Sequence, residues 1–95
     1  MRLDREQRDA IVNTIRQLDP DAGIHLFGSR TDDSAKGGDI DIIVLSSVLS
    51  YREKLLIRAR LKEKIGNRKI DLIITETPRT AFEKYAYKTS VPLSD

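Results

Sequence analysis

The stretch GSRTDDSAKGGDIDIIVL, from Gly28 to Leu45, decides the fold. Its second half, Asp39 to Leu45, reads as a strand by its run of Ile and Val. Side chains alternate along a strand, so Asp39, Asp41, Ile43 and Leu45 share one face and Ile40, Ile42 and Val44 share the other. A solvated face stays polar along its length, but this one becomes apolar after two acids. Two carboxylates so close raise each other's pKa unless a cation sits between them. The pair therefore points to a bound divalent metal rather than to a wet surface.

Working outward, Ile24 to Phe27 (IHLF) reads as a strand that ends at Gly28. Nine residues separate Ser29 from Asp39, a loop short enough for the two strands to pair antiparallel. Downstream, Lys69 to Thr75 (KIDLIIT) is a third strand. The helix before it starts at Ser50, where Glu53 completes a capping box, carries Ile57, Leu61 and Ile65 four apart, and ends at Gly66-Asn67. A full helix between the second and third strands permits those two to run parallel. A first helix is capped by Asp4 with Gln7 three residues on. Leu3, Ala10, Ile11, Ile15 and Leu18 form its apolar side, and Asp19-Pro20 stops it. A last helix opens at Thr77-Pro78 with Pro78 in its first position, and Ala81, Phe82, Tyr85 and Ala86 form its inner side. The fold class expected is α/β, a small mixed β-sheet packed with helices, with residues 1–95 as one domain.

Composition narrows the chemistry. Of the 95 residues 39% are hydrophobic, which suits one modest core. No cysteine is present and His25 is the lone histidine, which excludes disulfides, thiolate zinc and a cysteine nucleophile. Any metal is then a hard cation held by carboxylates. No apolar run approaches the ~20 residues of a membrane span, and the N-terminus lacks a signal-peptide core, so a cytoplasmic protein is expected. Residues 51–69 hold eight basic side chains against two acidic ones. This basic block is by default a solvated face, with docking of an acidic partner or nucleic acid as its other use. Aromatic residues are 5% of the chain, too few for a nucleic-acid stacking platform, so direct nucleic-acid binding is not expected.

Asp71 repeats the anomaly of the second strand, because Asp71 and Ile73 share one face while Ile70, Leu72 and Ile74 fill the other. Three acids on two core strands can hold two magnesium ions roughly 3.5–4 Å apart, an arrangement suited to in-line phosphoryl or nucleotidyl transfer. Gly28-Ser29 supplies the complement. A glycine after a strand lets backbone approach a ligand, and the following amides, the Ser29 hydroxyl and Arg30 can grip phosphate oxygens. His25 reads as structural. Tyr51, Tyr85 and Tyr87 could stack a base, but Tyr85 reads as core packing.

These residues resemble the minimal nucleotidyltransferases of the DNA polymerase beta superfamily. The shared pattern is Phe27, Gly28-Ser29, a loop, Asp39-Ile40-Asp41-Ile42, and a third acid matching Asp71, over about Ile24 to Thr75. The resemblance implies that Asp39, Asp41 and Asp71 bind two Mg2+ ions and are catalytic. Asp71 would also orient or deprotonate the acceptor hydroxyl. Gly28, Ser29 and Arg30 would hold the phosphates of ATP or another NTP. Thr31-Asp32-Asp33 departs from the basic or small residues that relatives often carry there. The chain's size makes it similar to antitoxins that pair with HEPN-domain toxins. The resemblance then implies transfer of AMP to a tyrosine of the toxin; the sequence leaves the oligomeric state, homo- or hetero-oligomer, open. The alternative is a non-catalytic module that neutralises a partner by contact. A small-molecule transferase is disfavoured, since no second domain shapes its pocket.

Overall fold

The structure is a computed structural model and describes residues 5–28, 40–66 and 69–93. Strand β1 (Gly23–Phe27) lies antiparallel to β2 (Ile40–Leu45), and β2 lies parallel to β3 (Ile70–Thr75). The sheet is mixed, as the loop and crossover lengths predict. A two-residue strand, β4 (Val91–Pro92), pairs antiparallel with β1 and gives the order β3-β2-β1-β4. Strand β4 was not expected, since two residues ending in proline carry no periodic signal. Its neighbour Leu93 is buried and donates its N–H to the Ile24 carbonyl at 2.9 Å.

Helices α1 (Arg5–Leu18) and α2 (Tyr51–Ile65) cover one face of the sheet. Leu26, Ile40, Ile42 and Val44 of the strands meet Ile11 and Ile15 of α1 and Ile57 and Leu61 of α2, all with no exposed surface. Each such side chain contributes roughly 1.5–3 kcal/mol of burial, so this layer dominates stability. The apolar side expected for α1 is borne out at Ile11 and Ile15. Leu3 and Asp4 lie outside the described residues. Thr14 is also buried, and its hydroxyl accepts from Lys64 Nζ of α2 at 3.0 Å.

Helix α2 begins as expected. Glu53 Oε1 accepts from the Ser50 backbone N–H at 2.7 Å and from its hydroxyl, which holds the Glu53 carboxyl below the usual range. Gly66, at φ +101°, ends the helix with its N–H on the Lys62 carbonyl at 3.0 Å.

Helix α3 (Ala81–Lys88) departs from the sequence reading. It starts after Pro78, because Thr80 is the N-cap: its hydroxyl accepts from the Glu83 N–H at 3.0 Å. Glu83 Oε1 in turn accepts from the Arg79 N–H at 2.8 Å, and this bond is the main cause of its lowered pKa. Of its supposed inner side only Ala86 is buried, while Ala81, Phe82 and Tyr85 are exposed. Ala86 makes the buried contact with Phe27 and Ile43 of the sheet, while Phe82 and Tyr85 keep more than half of their surface exposed.

Asp19 does more than end α1. Its carboxylate is buried, accepting from the Ser46 hydroxyl at 2.6 Å and from the Asp21 N–H at 3.0 Å. Ser46 Oγ accepts from the N–H groups of Val48 and Leu49 at 3.2 and 3.1 Å. The pair ties the end of α1 to the turn that follows β2. Among the described residues, no helix is long and apolar enough to cross a membrane.

Candidate active site

Register sets the geometry of the site. Asp41 and Asp71 are direct partners on the parallel strands β2 and β3. Parallel partners send their side chains to the same face, and neighbouring strands lie about 4.8 Å apart. Both carboxylates therefore leave the face that carries α3, with Ile43 and Ile73 next along it. Phe27, the last residue of β1, is the partner of Asp41 on the other side. Both acids are half-buried.

Gly28 makes the turn out of β1 at φ +75°, a conformation that L side chains rarely adopt. A Cβ built there would lie 2.7 Å from Asp41 Oδ2. Glycine is thus required twice, once by the backbone and once by the carboxylate beside it. Its missing side chain leaves the Asp41 oxygen room for a ligand.

An open pocket of about 550 Å³ contains Gly28, Asp41 and Asp71. Phe27 lines it as well, and Phe82 and Tyr85 of α3 stand on one side. Lys54 and Arg58 of α2 stand on the other, across the edge strand β3. Two ring pairs hang α3 on the sheet, both edge to face: Phe27 with Phe82 at 6.1 Å between centroids, and His25 with Tyr87 at 5.2 Å. Partial burial pushes the His25 pKa down, which favours the neutral ring in this contact.

The donor set suits a hard divalent cation. Two adjacent carboxylates on one face repel each other unless a cation or proton intervenes, and oxygen donors match magnesium, manganese or calcium. No group of three or more potential metal ligands occurs among the described residues. The third acid expected here, Asp39, lies outside them, as do Ser29, Arg30, Asp32 and Asp33. Of the expected site residues, the structure brings together Gly28, Asp41 and Asp71.

The sequence reading missed the pocket walls. It assigned Lys54 and Arg58 only to the basic block and Tyr85 to the core. One signal was available for the rings: two carboxylates interrupt the sheet face they were meant to cover.

A mixed sheet with an acid pair on parallel neighbours, beside a glycine turn after an antiparallel one, defines a site of the nucleotidyltransferase kind. The sequence matches the family model described as nucleotidyltransferase domain over residues 8–92. The chain therefore belongs to that family, within the polymerase-beta-like nucleotidyltransferase superfamily, whose reaction is transfer of a nucleoside monophosphate. No curated protein matches it at a significant level.

Proposed function

We propose that the protein is a magnesium-dependent transferase that moves AMP from ATP to a hydroxyl, a tyrosine of a HEPN-type toxin, and so acts as an antitoxin. The observation that carries the chemical part is the pairing of Asp41 with Asp71 beside the Gly28 turn. The toxin and its tyrosine rest on the resemblance given above.

Asp41 and Asp71, with Asp39, would hold the divalent ions, which when bound neutralise triphosphate charge and favour ionisation of the acceptor hydroxyl. Gly28, Ser29 and Arg30 bind the phosphates through backbone and side-chain donors. Asp71 orients the acceptor hydroxyl and takes its proton on a carboxylate oxygen. The acceptor oxygen bonds the α-phosphorus, the bond from that phosphorus to the bridging oxygen breaks, and pyrophosphate leaves with the electron pair.

The exposed rings of Phe82 and Tyr85 favour a second reading, in which contact alone silences the partner. One experiment separates the two. The protein is incubated with α-labelled ATP, magnesium and the partner, and the partner is read for label and for added AMP mass. Loss of a general base commonly lowers rate by ~10²–10⁴, so Asp71→Asn should cut labelling by about that factor while partner association persists. If Asp71→Asn silences the partner mole for mole as well as the wild type, the catalytic reading is wrong.

A further inference from the structure

Strand β3 ends the sheet, and among the described residues nothing pairs with its outer side. The Lys69 carbonyl accepts from the Ile40 N–H at 2.9 Å, and the Thr75 carbonyl accepts from the Ser46 N–H at 3.0 Å. By the two-residue period, Asp71 and Ile73 also face β2, while Ile70, Leu72 and Ile74 turn their N–H and C=O groups outward. Natural edges are usually blunted by lysine, proline or a bulge. The edge IDLIIT is six residues long, has neither lysine nor proline, and carries one charge, Asp71, on the face that holds the site. It also runs through the pocket, with Lys54 and Arg58 above it and Phe82 and Tyr85 below.

We propose that this open edge is the docking groove for an extended, acidic segment of a partner protein. The segment adds to β3 as a fifth strand and brings its acceptor hydroxyl to Asp71. Strand addition draws affinity from main-chain hydrogen bonds and specificity from flanking side-chain contacts.

Charge decides the occupant. Lys54 and Arg58 lie one helical turn apart on α2 and make no ion pair among the described residues. Carboxylates on the incoming strand would meet both. A second copy of the chain is the poorer fit. Antiparallel pairing of two β3 edges in one continuous sheet sets α2 against its own copy, and residues 51–69 hold eight basic side chains to two acidic. Like charges so placed repel.

The groove's role in delivering an acceptor rests on the transferase reading, but its role in binding does not, so the test reads both. The probes are a synthetic tyrosine peptide of alternating valine and threonine with glutamate at both ends, and its twin with lysine at both ends. Amide exchange is followed by NMR. The glutamate peptide should slow exchange at Leu72 and Ile74 about tenfold or more and change Asp71 and Ile73 little, since those amides already bond to β2. The double variant K54E/R58E should weaken that peptide about tenfold, the size expected when two exposed ion pairs are inverted, and should favour the lysine twin.

Unchanged exchange at Leu72 and Ile74 overturns the groove, as does equal binding of the two peptides. Slowed exchange in the protein alone that grows with its concentration means self-pairing and overturns it too. The same mixtures are then given labelled ATP and magnesium. A protected edge without labelled tyrosine keeps the groove and removes the transferase reading. Labelled tyrosine without a protected edge does the opposite.

Discussion

The two faces of the sheet are built from the same three long strands and are covered to different depths. Under α1 and α2, side chains from both helices and all three strands close a layer with no exposed surface at Ile11, Ile42 or Leu61. Under α3 the buried cluster is Phe27, Ile43 and Ala86, with Leu45 and Ile73 half-covered against it. That thin face carries both described acids, the glycine turn and the exposed rings. The deep layer and the β2–β3 register hold the strands, so Asp41 and Asp71 are placed side by side with little core around them. A site can stay open to ligand because stability is supplied from the other side.

The largest effect tests that division directly. Leu61→Ala, in the deep layer, should lower unfolding free energy by about 2–5 kcal/mol, read by urea denaturation. Asp71→Asn should change the same quantity little. Comparable losses for both would mean that the two faces do not divide their labour this way.

Next comes Ser46→Ala, which leaves the buried Asp19 carboxylate short of a donor. A loss of about 1–3 kcal/mol is expected, with no change in nucleotide transfer. A drop in transfer at unchanged stability would place this link in the site rather than the scaffold.

Gly28→Ala should be smaller in stability, about 1–2 kcal/mol for a side chain held at positive φ, yet larger in function. Its Cβ must displace the Asp41 carboxylate, so nucleotide transfer should fall steeply. Unchanged transfer would show that the turn and the acid are independent.

The smallest effect concerns His25. Burial lowers its folded pKa below the ordinary histidine value of about 6.5, so the unfolded chain takes up the proton more readily. Its contribution to stability is present above about pH 6.5 and fades as pH falls from there through the lower folded pKa. Between neutrality and about pH 5.5, the wild type should lose slightly more stability than His25→Gln. Parallel pH curves for the two proteins would mean that the ring contact with Tyr87 tolerates a charge.

What was legible in the sequence follows the same split. The acids announced themselves because Asp41 and Asp71 each break an otherwise apolar alternation, and strand pairing followed from connection length. Thr80 could have been read as a cap from Glu83 three residues on, but Thr77-Pro78 offered a rival start. Phe82 and Tyr85 were read as core because helical spacing says which residues share a side, not whether anything lies opposite. The Asp19–Ser46 bond spans 27 residues and has no local signature at all.

Where Asp71 sits also governs when the site comes into being. Phe27, Gly28 and Asp41 belong to neighbouring strands joined by a short connection, so their meeting closes a small loop. Asp41 and Asp71 meet only after α2 has crossed back over the sheet, a longer closure that is slower to form. A chain emerging during synthesis thus completes half of its constellation early and acquires the acid pair only when the last long strand docks. Until then the two charges are far apart, and any cation affinity that depends on both is absent. Metal capture by that pair would, on this ordering, report the end of folding rather than guide its start.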